Sequence, residues 1–234
     1  MALIYGVESR TPANTLLTNG YDLYTWVMRK SCYPSFWART LVGKNPIELE
    51  EIEFLKNKHC KIAFIVRDLS EANISANNAT DDALKTIESA RRLGIPRNKS
   101  IALFAEIPDH FSVNHNWMIN YARNLLNNGY LPGFIGNTDS SKNFNFGRQC
   151  SHYVQATRKE DQLGAVYCST QPKYNFDPEA FATYAPSELL PKDIALWNYG
   201  NIDFHKISVG KLYASNSTVL DRFWSGEKGE NVIR

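Results

Sequence analysis

Short apolar runs recur along the chain, each followed by a longer polar stretch with helical spacing. A strand-length run of β-branched and aromatic residues, then an amphipathic helix, then another run, is the pattern of βα units on a parallel sheet. The runs fall at residues 3–8, 36–41, 61–66, 100–107, 131–136, 164–168, 193–199 and 202–207. Helical stretches fall at 45–58, 79–93, 116–127 and 146–158, with a last short helix at 219–224. The 79–93 stretch is the best marked. Asp81 and Asp82 sit in its first turn, Arg91 and Arg92 in its last, and Gly94 and Pro96 follow. That charge order complements the helix dipole, and glycine then proline is a helix stop. The run at 24–28 reads as an inserted strand or a helix end.

Eight such runs in 234 residues predict a (β/α)8 TIM barrel forming a single domain over 1–234. A doubly wound open sheet is the competing arrangement. Nothing in the chain looks like a linker, a low-complexity stretch or a repeat, and a chain of this length can bury most of its surface without staples. The 26 basic and 24 acidic residues leave a net charge of +2 with no long basic run, which argues against nucleic acid as the main partner. Cys32, Cys60, Cys150 and Cys168 form no C-x-x-C pair and read as free buried thiols. No apolar run is long enough for a membrane span. The opening Met1-Ala2-Leu3-Ile4-Tyr5-Gly6 reads as a strand and not as a signal peptide. The expected location is secreted or at the cell surface, in a mature or non-classically released form, with the cytoplasm as the alternative.

In a barrel of this kind, functional groups lie at the carboxyl ends of the strands. The first run ends in Glu8-Ser9, the second carries Arg39, and the third ends in Arg67-Asp68. The fourth ends in Glu106, with Asp109 just beyond, and the fifth is followed by Asn137. The seventh carries Trp197-Asn198-Tyr199, and the eighth starts Ile202-Asp203-Phe204-His205. Glu106 follows Ile101-Ala102-Leu103-Phe104-Ala105, an apolar run that belongs inside a protein. A carboxyl against apolar walls has a raised pKa, as a general acid at neutral pH requires. Glu8 has a similar context, and Asp203 follows a short turn with Gly200. Carboxylates flanking a glycosidic bond are the usual hydrolase arrangement. Trp37, Trp197, Tyr199 and Phe204 are aromatic rings that could stack on sugars. His110 and His115 have no third partner at metal-ligand spacing and read as loop residues, while His205 is a substrate contact or a surface residue. No metal and no other cofactor is implied, and no G-x-S-x-G elbow or dinucleotide glycine motif is present.

These strand ends carry a resemblance. Tyr5-Gly6-Val7-Glu8-Ser9, Gly20-Tyr21-Asp22 and Phe36-Trp37-Ala38-Arg39-Thr40-Leu41 resemble the opening motifs of glycoside-hydrolase-like domains of unknown function from bacterial and phage proteins. These are distant relatives of the family 25 lysozyme-like muramidases. Gly94-Ile95-Pro96 with the following strand to Glu106, Gly133-Phe134-Ile135-Gly136, Leu196-Trp197-Asn198-Tyr199 and Ile202-Asp203-Phe204 are similar to later motifs in the same order. The resemblance implies a barrel hydrolysing a glycosidic bond in a bacterial cell-wall or related polysaccharide, without a cofactor. Carried over, Glu8, Glu106 or Asp109, and Asp203 occupy the family's acidic positions; Glu106, Glu8 and Asp203 are the catalytic candidates, with Glu106 as the acid. Arg39, Asp68, Asp109, Asn137, Trp197 and Tyr199 are the substrate-binding candidates. The chain departs from the family at two points. Glu8 stands where the family has aspartate, and the Asp-x-Glu of the fourth strand reads Ala105-Glu106-Ile107-Pro108-Asp109. The second departure motivates an alternative: a barrel that binds glycan without cutting it, or serves as an interaction scaffold.

Overall fold

The computed structural model describes residues 4–137, 146–157, 166–169, 194–214 and 217–227. Eight strands, β1 Ile4–Ser9, β2 Phe36–Val42, β3 Lys61–Val66, β4 Ala102–Glu106, β5 Leu131–Gly136, β6 Val166–Ser169, β7 Ile194–Phe204 and β8 Ile207–Ala214, are hydrogen-bonded in chain order. β8 also pairs with β1, so the sheet closes on itself. The helices are α1 Leu23–Arg29, α2 Leu49–Asn57, α3 Glu71–Ser75, α4 Thr80–Arg92, α5 His115–Asn127 and α6 Phe146–Thr157.

The strands alternate between two cores. Along β2 and β3, Phe36, Ala38, Ala63 and Ile65 join Ala102, Phe104, Ile135, Leu196 and Leu212 inside the barrel. The residues between them, such as Trp37, Leu41, Ile62 and Phe64, pack outward with the helix faces. Both faces of β3 are therefore buried, which is why Lys61–Val66 reads as an unbroken apolar run. Inside, large rings sit over glycines. A Cβ on Gly6 would meet the Phe36 ring at 2.3 Å, and one on Gly133 would meet Phe104 at 2.6 Å. Phe223, just after the 3-10 turn Ser217–Arg222, packs on Phe36 at 4.9 Å and Phe104 at 6.2 Å between ring centroids. These rings fill the barrel from the end opposite the carboxyl ends of the strands. Burying each one contributes about 1.5–3 kcal/mol.

The expected (β/α)8 TIM barrel is corrected by the last two strands. β1 through β7 pair in parallel, but β8 runs antiparallel to both β7 and β1. β7 reaches β8 through a tight turn at His205-Lys206 with no helix between, so the sheet is mixed. The two runs at 193–199 and 202–207 are one eleven-residue strand, and the eighth strand lies further on. Gly200, at φ +138°, does not reverse the chain; the ladder shifts register between Asn198 and Gly200 and continues. The reversal comes at His205, a non-glycine residue at φ +52°, as the turn of a two-residue hairpin requires.

Residues 24–28 belong to α1 and not to a strand. Asp22 caps that helix, its carboxylate accepting from the Thr25 N–H at 2.6 Å and the Thr25 hydroxyl at 3.0 Å. The ends of four expected elements, at 3, 158, 164–165 and 193, lie outside the described residues. Cys32, Cys60 and Cys150 are free and buried, and burial pushes the Cys60 thiol up to about 12.

Gly6→Ala forces a methyl group into the Phe36 ring. It is expected to cost roughly 1–3 kcal/mol by overpacking. The double variant with Phe36→Leu is expected to recover part of that loss in urea denaturation.

Candidate functional site

The inward positions that hold the barrel's rings become polar at the carboxyl ends of the strands. Two residues past Gly6 on β1 stands Glu8, and two past Phe104 on β4 stands Glu106. Two past Ile65, just beyond β3, stands Arg67, and two past Ala38 on β2 stands Thr40. The Arg67 guanidinium joins them. Its Nε donates to Glu106 Oε2 at 2.6 Å, Nη1 donates to the Thr40 hydroxyl at 2.5 Å, and Nη2 pairs with Glu8 Oε1. Nε and Nη2 lie on one edge of the planar guanidinium, so two carboxylates share a fork that usually grips one. Arg67's side chain is 6% exposed, against 25% for Glu8 and 26% for Glu106. The cation is buried while both carboxylates still reach the surface.

Burial raises the Glu8 carboxyl above its ordinary 4.5, and the negative charge of Glu106 pushes the same way. Arg67 and Arg10 oppose that rise. Arg10 Nη2 lies 3.6 Å from Glu106 Oε1. Beside Glu8 opens a cleft of about 310 Å³, walled by Arg10, Asn198, Asn201, Lys206 and Gly210 among others. Gly210 pairs with Glu8 across the β1–β8 ladder. A Cβ there would stand 3.1 Å from Asn198 Nδ2 and 3.6 Å from the Glu8 Cβ, so its missing side chain keeps this wall open. The carboxylates, amides and guanidinium can hold a polyhydroxylated ligand and exchange a proton with it. Among the described residues, no group of three or more His, Cys, Asp or Glu side chains is placed to hold a metal ion.

Of the residues singled out from the sequence, the structure brings Glu8 and Glu106 together. Arg39 points to the other side of β2. It is fully buried, donating to Glu51 Oε1 at 2.7 Å and to the carbonyls of Ser9 and Asn45. Asp68 is exposed beside Arg67. Asp109 is exposed beyond β4 and accepts from Asn137 Nδ2 at 3.2 Å, with Asn137 itself buried. Asp203 is exposed near the tip of the β7–β8 hairpin. Trp197 and Tyr199 are buried on the outer side of β7. Trp197 is stacked on Tyr213 at 5.4 Å, and the Tyr199 ring lies edge-on to Tyr5 and Tyr213. Trp37 stacks on Tyr24, and Phe204 meets Trp26 edge-on.

Sequence reasoning passed over Arg67 in favour of its neighbour Asp68. The signal was present: Ala63, Ile65 and Arg67 share one face of the strand at a period of two. Asn201, Lys206 and Gly210 give no such signal, because the apolar runs at 193–199 and 202–207 do not mark the β7–β8 hairpin that carries them.

No family model and no curated protein matches the chain. Among solved structures it is similar to an uncharacterized protein of B. stearothermophilus, with 26% identity and a TM-score of 0.71, over 94% of this chain and all (100%) of that one. It is similar to a Tat-secreted protein of Mycobacterium tuberculosis at 14% identity and a TM-score of 0.54, covering 90% of this chain and 94% of that one. It is also similar to a glycosyl hydrolase 25 of Streptococcus pneumoniae, a virulence factor participating in host cell invasion. There the identity is 11% and the TM-score 0.53, over 93% and 91% of the two chains. The likeness to the last two is one of fold, and the chain's fold is distantly glycoside-hydrolase-like.

Two outcomes follow from these placements. Arg39→Met leaves the buried Glu51 carboxylate without its counter-charge and is expected to cost roughly 3–5 kcal/mol in chemical denaturation. The Glu8 carboxyl, followed by carbon-13 NMR, is expected to titrate above 4.5 and to move down in Glu106→Gln, which removes one cause of the rise. Because the folded state holds this proton more tightly than the unfolded state, the stability it adds is complete below the unfolded pKa. It is lost as the pH rises through the folded one. Glu8→Gln should abolish that decline.

Proposed function

We propose that the protein is a glycoside-hydrolase-like domain acting on a bacterial cell-wall or related polysaccharide at the mouth of its barrel. The observation that carries this reading is the pair of half-exposed carboxylates, Glu8 and Glu106, gathered from β1 and β4 by one guanidinium beside an open cleft. The distant likeness of the fold to a glycosyl hydrolase 25 supports it. A secreted or cell-surface location fits such a substrate, and one structure of similar fold belongs to a Tat-secreted protein.

Cleavage of a glycosidic bond needs one carboxyl to give a proton to the leaving oxygen and one carboxylate to meet the positive charge that develops on the sugar. From the sequence, Glu106 was expected to supply the proton. Glu8, whose carboxyl pKa burial raises above its ordinary value, is a second candidate for that task. Glu106 is ion-paired with Arg67 and Arg10, and Glu8 with Arg67, so the two acids stand side by side at the site. Arg67 positions both groups, and Asn198 and Asn201 offer amide contacts to hydroxyls of the sugar. The chemistry asks for no cofactor.

A second reading rests on one specific observation: Arg67 engages both carboxylates at once. A site whose acids are held by a fixed cation can bind a glycan without cutting it.

Release of reducing ends from purified peptidoglycan, compared among wild type, Glu8→Gln and Glu106→Gln, separates the two. The hydrolase reading expects activity in the wild type and a loss of about 10²-fold or more in each variant, the usual weight of a positioned acid or base. Saccharide binding by calorimetry without release, in wild type and variants alike, would establish the binding barrel instead.

A further inference from the structure

The cleft beside Glu8 is bordered by more cations than its acidic pair can offset. Arg10, from the segment after β1, and Lys206, from the β7–β8 turn, both line it. Glu8 is the only carboxylate in that lining, and Glu106 stands behind it on Arg67. Arg67 and Arg10 act on Glu8 and Glu106, Lys206 lines the cleft beside them, and Asp109 and Asp203 are exposed outside the lining. Arg10 is within ion-pair reach of Glu106, yet its side chain remains 69% exposed. Its remaining donors are therefore open to a ligand. Isolated surface cations are ordinarily just solvated. These two differ in bordering one concave site together with amide and hydroxyl groups, among them Asn198, Asn201 and Ser208.

We infer that the cleft takes a sugar bearing a negatively charged substituent, a carboxylate or a phosphate, gripped by Arg10 and Lys206. This rests on the glycan reading above and narrows it. An arginine fork matches the two oxygens of either anion, and a lysine adds a mobile point charge. A neutral sugar would gain no charge-assisted contact from either cation. The turn between β7 and β8 brings Lys206 to the wall of the cleft.

The test is binding of the full chain to matched tetrasaccharides by calorimetry. The probes are a neutral N-acetylglucosamine tetramer, a hyaluronan tetramer bearing carboxylates, and an N-acetylglucosamine tetramer phosphorylated at the 6-hydroxyl. The acidic ligands are expected to bind about tenfold tighter than the neutral one at low salt, the scale of one charge-assisted contact. That advantage should shrink as salt rises. Arg10→Gln and Lys206→Gln should each reduce the ratio of acidic to neutral affinity, and the charge-preserving Lys206→Arg should keep it. Whichever anion binds tighter identifies the source of the charge. Equal affinity for neutral and acidic tetramers, with the ratio unmoved in the variants, would overturn the inference and leave the glycan reading standing. Failure of every tetramer to bind would remove both.

Discussion

One guanidinium organises the open end of this barrel. Two carboxylates brought together repel each other, and burial makes Glu8 harder to ionise. Arg67 makes the arrangement tolerable by offering both a donor from a single rigid edge. Its own position depends on the strand period: the residues beneath it on the same face, Ile65 and Ala63, are packed inside the barrel. The apolar filling by Phe36, Phe104 and Phe223 therefore serves the site, because it fixes the floor above which a buried ion cluster can stand.

Two arginines on neighbouring strands illustrate how strongly one residue of register matters. Arg39 and Arg67 both end up almost fully buried and bonded to glutamate. Arg39 faces outward, where it ties the segment after β1 and the start of α2 to the sheet through Glu51. Arg67 faces inward, at the cleft. Residue type is the same for both; parity decides which one faces the helices and which one joins Glu8 and Glu106 at the barrel mouth.

Much of the architecture could be read from the sequence, because seven strands and the main helices announce themselves through apolar period and helix stops. β3 and β5 fall where the runs at 61–66 and 131–136 place them. The mixed closure could not be read in the same way. Residues 202–207 look like a strand, yet their middle is a turn that rests on His205 accepting a left-handed backbone without glycine. Glu8 and Glu106 stood out because each interrupts an apolar run. Arg67 did not, since a basic residue at a strand end is commonplace, and its importance appears only when the four strands β1 to β4 are placed side by side. Trp197 and Tyr199 misled for the converse reason: rings suited to sugar stacking are equally suited to the layer between sheet and helices.

The antiparallel last strand has a consequence for how such a protein can diversify. In a regular barrel each loop at the mouth is tethered to a helix, so altering the loop disturbs the packing behind it. Here the hairpin arm carries its tip outward on its own ladder, while the lower part of β8, from Val209 to Ala214, keeps the ring joined to β1. Phe204 packs on Trp26 of α1, but the exposed positions Asn201, Asp203, His205, Lys206 and Ser208 form an exchangeable set. Their chemistry can be rewritten, for a new substituent or a new polymer, while the fold beneath continues to close.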